Sequence, residues 1–292
     1  MDSILDRSPI AADGRPGPAP RAGGGAVATA VKFAAVFRIT LASRFAYLGE
    51  MALRTIFLVL ILFTFTQLWR ATNASQNVQG LTGFNIARLI WYLAFTEAMI
   101  ISAPALTENE VDREVRSGDI VYRLTRPLSY PLYHLASGLG DRVLRFLLNL
   151  LVGGAVAWLL VGPITLSPIA LGAAVLAALL AFVADWTWSF SISLLSFWIE
   201  DTFGLHLLYR RLLMLLGGML LPLEAYPRWL GRVAHALPFQ YLVYRPARLF
   251  VQADASGLAS LLGVLLLIIL IGLAPLLLIY RLGGRRLSAQ GG

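Results

Sequence analysis

Long apolar runs, separated by short polar breaks, organise this chain of 292 residues. The first runs from Met51 to Trp69, with Arg54 near its start and Arg70 just past its end. At about 1.5 Å per residue such a run just crosses a hydrocarbon core about 30 Å thick. Five more follow: Ile86 to Leu106, Val143 to Val161, Pro168 to Ile199, Phe203 to Leu221 and Gly257 to Tyr280. The pattern predicts an all-α polytopic membrane protein with six transmembrane helices.

Two runs depart from simple spans. Pro168–Ile199 is too long for one perpendicular crossing. Its first half is alanine-rich, at 170, 173, 174, 177, 178 and 181. Small side chains let helices approach closely in lipid. Its second half carries Asp185, Ser189, Ser191, Ser193 and Ser196 among Trp186, Trp188 and Trp198, so that half is expected to face protein or a wet cavity. Between the fifth and sixth runs, Pro222–Phe250 is semi-polar and broken by Pro222, Pro227, Pro238 and Pro246. A lipid-exposed helix does not tolerate so many breaks, which predicts short helices dipping into the outer leaflet.

The N-terminus differs again. Residues 1–25 hold four prolines and a Gly23-Gly24-Gly25 run, and predict a disordered tail with too little apolar surface to offset its ordering entropy. Ala26 to Glu50 has helical periodicity, with Thr29, Lys32, Thr40, Ser43 and Arg44 on one arc. It predicts an interfacial helix at the membrane surface. The alternative is an inward extension of the first span. Residues 287–292 form a short tail after the last span.

The break between the second and third runs, Thr107 to Asp141, is the most charged part of the chain. Glu108, Glu110, Asp112, Arg113, Glu114, Arg116 and Asp119 fall within twelve positions. Val111, Val115, Ile120 and Val121 alternate with them around Ser117-Gly118. That reads as a short helix, a glycine stop and a second amphipathic piece ending at Arg126-Pro127. The mixture of signs suits a protein docking surface better than a lipid-binding patch.

Charge sets the expected orientation. The chain is 58% hydrophobic and 14% charged, against about 25% charged in soluble domains. Its net charge of +8 would fit nucleic acid in a soluble protein. In a chain this apolar it reads as topology, since cationic residues collect on the cytoplasmic side. With both termini inside, the inner segments hold eighteen of the 24 lysines and arginines. Outer arginines at 228, 232, 245 and 248 weaken that bias without reversing it. No nucleic-acid partner is expected, and membrane lipid is.

Candidate chemistry is sparse. A phosphate-cradling loop needs Gly-Lys, and the only lysine, Lys32, follows Val31. There is no cysteine, the three histidines stand far apart, and no nucleophile-elbow pattern surrounds a serine. Neither an enzyme nor a metal centre is expected. Glu97 and Asp185 are acids inside spans, where a charge costs about 2.5–3.5 kcal/mol. Either they are functional, as pore or proton-carrying groups with Ser189 and Ser193, or each is paired and fixes packing.

Two passages resemble the permease subunits of type-2 ABC exporters, in the branch whose paired permeases use a separate ATPase. One is EVRSGDIVYRLTRPLSYPLYHLA, Glu114 to Ala136; the other is GGMLLPLEAYPRWLGRVAHALPFQYLVYRPARL, Gly217 to Leu249. With the six-span layout, the resemblance covers about Ala26 to Arg286. It implies an ABC ATPase subunit that binds the ATP and magnesium, a second permease, identical or not, and a location in the plasma or inner membrane of a bacterium. It implies coupling roles for Glu110, Arg113, Glu114, Arg116, Ser117, Gly118 and Asp119. It implies an extracytoplasmic gate in the segment holding Pro222, Pro227, Trp229 and Pro238. The rival reading is a proton-coupled secondary transporter using Glu97 and Asp185, for which no internal repeat is found.

Overall fold

The computed structural model describes residues 25–45, 48–75, 77–103, 105–124, 128–165, 167–199, 201–252 and 257–290. The expected disordered tail and the Arg126-Pro127 terminus therefore lie outside the described residues. All regular structure among the described residues is helical. In order these are α1 (Ala26–Phe45), α2 (Leu48–Ser75), α3 (Val78–Thr82), α4 (Ile86–Ile101), α5 (Ala105–Ser117), α6 (Ile120–Leu124) and α7 (Tyr130–Val161). There follow α8 (Pro168–Ser193), α9 (Phe203–Leu216), α10 (Arg228–Ala236), α11 (Phe239–Leu242), α12 (Tyr244–Gln252) and α13 (Leu258–Gln290). Short 3-10 turns cover Leu194–Phe197 and Leu223–Ala225.

Among the described residues, five helical stretches are long and apolar enough to cross a membrane: Ala26–Arg44, Thr55–Ala74, Tyr130–Val161, Pro168–Phe197 and Leu258–Arg285. Four boundaries differ from the hydrophobic pattern, three of them at a proline or glycine. The second run, expected to reach Leu106, stops as a helix at Ile101. Pro104 follows in the sequence, and a proline pushes the residue before it out of the helical region. The third run starts thirteen residues early, at Tyr130, with Ser129 at the N-cap position and proline in the first turn. The fifth ends at Leu216 rather than Leu221, because Gly217 caps it and Gly218 takes φ +69°. The first helix, conversely, runs on to Ser75. α4 and α9, at 16 and 14 residues, are thus shorter than a full crossing.

α4 lies inside the bundle, with ten of its residues buried. It runs antiparallel to α7, where Ala94 meets Gly153 and Trp91 meets Gly154. Phe95 links three helices: its ring stacks on Phe250 at 4.9 Å and stands edge-on to Phe146 at 5.6 Å. The alanine face of α8 is buried, as its composition predicts. α13 runs parallel to α8, with Gly272 against Thr187 and Gly283 against Phe197. α1 and α2 follow α7 in the same direction. Arg44 pairs with Asp141 at 2.9 Å, Thr55 bonds to Asn149, and the Arg70 guanidinium donates to the Leu160 carbonyl. That geometry favours an inward extension of the first span over a helix set apart from it.

The two ends of the bundle are chemically distinct. At one end α5 packs on α8 and its 3-10 extension, over a cluster of Val111, Ile120, Tyr130, Phe190, Leu194 and Leu276. At the other, the proline-broken segment forms α10, α11 and α12, and α12 packs on α4 and α8. The short helices expected there are the ones found.

Candidate functional site

α5 folds as an amphipathic helix, and its sequence decides which side is free. Val111, Asp112 and Glu114 are buried, while Arg113, Arg116, Ser117, Gly118 and Asp119 are exposed. The helix ends where the glycine stop was expected: Gly118 has φ +77°, a left-handed conformation that favours glycine. Beyond it, the Ser117 hydroxyl donates to the Asp119 carboxylate at 2.8 Å, which orders the turn into α6.

Two buried acids tie this helix to the bundle. Asp112 accepts from the Thr202 backbone N–H at 2.9 Å and from the Thr202 hydroxyl at 2.8 Å. Thr202 is the N-cap residue of α9. Glu114 sits in a cage. Tyr130 donates its hydroxyl at 2.8 Å, Arg123 pairs at 2.9 Å and His134 lies at 3.5 Å. Burial alone would raise the Glu114 carboxyl; the His134 and Tyr130 hydrogen bonds and the charges of His134 and Arg123 outweigh it and hold the group below its ordinary value. Glu110, half-buried, lies 3.6 Å from Arg123.

The intramembrane candidates divide. Asp185, Ser189 and Ser193 line one small crevice of about 40 Å³ between α7 and α8. It adjoins a second, of about 100 Å³, that reaches Tyr209 and Arg210 on α9. Asp185 is held from two sides: Arg142 donates to it at 2.5 Å and Tyr209 at 2.7 Å. The Arg142 guanidinium also lies over the Phe182 ring, 4.1 Å from its centre. The Ser193 hydroxyl stands 3.0 Å from His206. Glu97 is elsewhere, on α4. It is fully buried, and neither carboxylate oxygen has a hydrogen-bond partner among the described residues.

The candidate gate residues differ in burial. Pro222 is buried, Pro238 half-buried, and Pro227 and Trp229 exposed. The segment is anchored to α4, where Tyr92 donates to the Gly218 carbonyl and Thr96 to that of Met219. Tyr226 donates back to Leu215 at 2.5 Å. Among the described residues, no three His, Asp or Glu side chains stand together as a metal site.

Sequence reasoning missed the residues that hold these groups in place. Arg142 is 43 positions from Asp185, and Thr202 is 90 from Asp112. His134 read as an isolated histidine. The charges of Asp141, Arg142 and Arg145 were available as a signal, because three charges inside a helical pattern demand partners.

No curated protein and no solved structure matches this chain. A family model described as ABC-2 family transporter protein matches residues 55–291. That range holds the long apolar helices from Thr55 onward, the clamped charged helix and the proline-broken segment. The chain accordingly belongs to the ABC-2 transporter family, as a multi-pass membrane subunit that works with an ABC ATPase.

Proposed function

We propose that this subunit is the permease of an exporter, driven by a separate ATPase that docks on α5. The observation that carries the reading is the division of α5 into two sides. Arg113, Arg116, Ser117 and Asp119 are exposed, while Asp112 and Glu114 fasten the same helix to α9 and α7. A push on the exposed side has a rigid route into two membrane helices. The ATPase supplies the bound ATP and magnesium and all hydrolysis. The cargo is hydrophobic or amphipathic, and leaves the cytoplasm or inner leaflet along the face between this permease and a second one. Both termini and α5 are cytoplasmic, and Pro222–Phe250 forms the outer gate. Asp185, Ser189 and Ser193 supply the polar lining beside the path.

The proton-carrier alternative is weaker on two counts. Asp185 is committed to Arg142 and Tyr209. Family membership also brings an ATPase. The test is charge reversal on the exposed side, Arg113→Glu with Arg116→Glu, in the co-expressed complex. ATPase copurification and transport-coupled hydrolysis are expected to fall at least tenfold, with membrane insertion unchanged. Undiminished copurification would refute the docking role.

A further inference from the structure

The outer arginines run against the positive-inside bias, and the exporter reading gives them no task. Two of them share a site. Arg245 and Arg248, three residues apart on one face of α12, line a cavity of about 410 Å³ between α12 and the first turns of α13. Gln252 and Ser260 add polar residues to its wall, while Leu261 and Val264 add apolar ones. The volume is that of a small-molecule pocket.

The arginines are held but not neutralised. Arg248 donates to Gln252 at 3.1 Å and to the Tyr244 hydroxyl at 3.1 Å, and lies 3.5 Å from Glu224. Arg245 lies over the Tyr241 and Tyr244 rings, at 5.7 and 6.0 Å, and donates weakly to Gln240 at 3.4 Å. It makes no ion pair among the described residues. Among the described residues, two guanidinium groups stand against one carboxylate, a net positive charge beside an apolar wall. Guanidinium donors fit phosphate oxygens in a fixed fork, and the positive end of α13 adds to the field.

We propose that this cavity binds the phosphate-bearing headgroup of an anionic membrane lipid, with its acyl chains along Leu261 and Val264. The cavity lies at the end of the bundle opposite α5. α13 begins beside it and at Gly283 packs against Phe197, in the cluster beneath α5. The arginines there hold a lipid at the far end of the helix that reaches the coupling side.

The test uses the purified full-length chain in a neutral detergent. Phosphatidylglycerol, phosphatidylcholine and inorganic phosphate are added separately, with binding read by native mass spectrometry and by the shift in thermal midpoint. Phosphatidylglycerol is expected to bind tightest and to raise the midpoint. Arg245→Gln with Arg248→Gln is expected to weaken it roughly tenfold, about 1.4 kcal/mol. Val264→Trp, which fills the cavity and spares both arginines, is expected to weaken it similarly. It carries the test if the double variant fails to fold. Arg228→Gln with Arg232→Gln, exposed on α10, is expected to change nothing. Equal binding of phosphatidylcholine, or undiminished phosphatidylglycerol binding in the cavity variants, would overturn the proposal. Inorganic phosphate binding as tightly as the lipid would overturn the lipid assignment.

Discussion

The carboxylate of Asp112 on α5 grips Thr202 by both its backbone N–H and its hydroxyl, at 2.9 and 2.8 Å. In a capping box, a glutamate three residues into the helix binds the N-cap N–H. In α9 that third position is Leu205, which has no acceptor. The acid comes instead from another helix, so the start of α9 is completed only when α5 is seated. Under the proposed docking role, capping and coupling rest on one side chain.

Asp112→Ala should therefore do two things. Leaving the buried Thr202 donors without a partner costs about 1–3 kcal/mol, which lowers the thermal midpoint. It should also weaken transport-coupled ATP hydrolysis even when the ATPase still copurifies. Thr202→Val removes only the hydroxyl bond and should cost about 1 kcal/mol. In a double-mutant cycle the two changes are expected to couple by at least about 0.5 kcal/mol. Strict additivity would mean that the contact transmits nothing.

Much of the architecture was legible in the sequence, and the largest boundary miss has a clear cause. Hydrophobic periodicity found the all-α class, the alanine face of α8, the glycine stop after α5 and the series of short helices after Pro222. It failed where charge was equated with loop. Asp141 and Arg142 delayed the expected start of α7, yet they lie within the helix, as does Arg145. Arg44 and Arg145 pair with Asp141, and Arg142 with Asp185. The candidate site was legible as a stretch but not as a division of labour. Glu110 and Glu114 looked equivalent to Arg113 and Arg116, because which side of α5 is buried depends on Thr202, Tyr130 and His134, all distant in sequence.

The Arg142–Asp185 pair separates packing from transport. Removing either partner leaves a buried charge uncompensated, at about 3–5 kcal/mol. Arg142→Met and Asp185→Leu, each alone, should sharply lower yield and thermal midpoint. The two together remove both charges and should recover most of the stability. If the crevice lines the cargo path, the double variant is folded but transports at least tenfold less. Normal transport in that folded variant would reduce the pair to packing alone.

Glu114 gives a pH signature. Its carboxyl is lower in the folded protein than in the unfolded chain, so the unfolded state binds the proton more readily. The cage therefore stabilises the fold at pH values above the ordinary carboxyl value of about 4.3, and that contribution is lost as pH falls through the lower folded value. Glu114→Gln should be less stable than the unaltered chain at pH 7. The gap should narrow as the pH drops below about 4, measured by thermal unfolding in detergent. A gap independent of pH would mean that shape, not charge, holds the cage. Because Glu114 is buried, reversing its charge would damage the fold rather than probe docking.

Orientation can be read against a clean background, because the chain contains no cysteine. Ser117 on the charged turn and Trp229 on α10 are both exposed, and they mark opposite ends of the bundle. Single Ser117→Cys and Trp229→Cys variants each place one thiol on a surface that a membrane-impermeant maleimide can reach. With α5 cytoplasmic, Trp229→Cys is labelled in intact cells, and Ser117→Cys only after the membrane is opened. ATPase co-expression should then protect Ser117→Cys in opened membranes and leave Trp229→Cys unchanged, since docking covers only one end. Labelling of Ser117→Cys in intact cells would place the charged helix outside, where no ATP-burning partner could reach it.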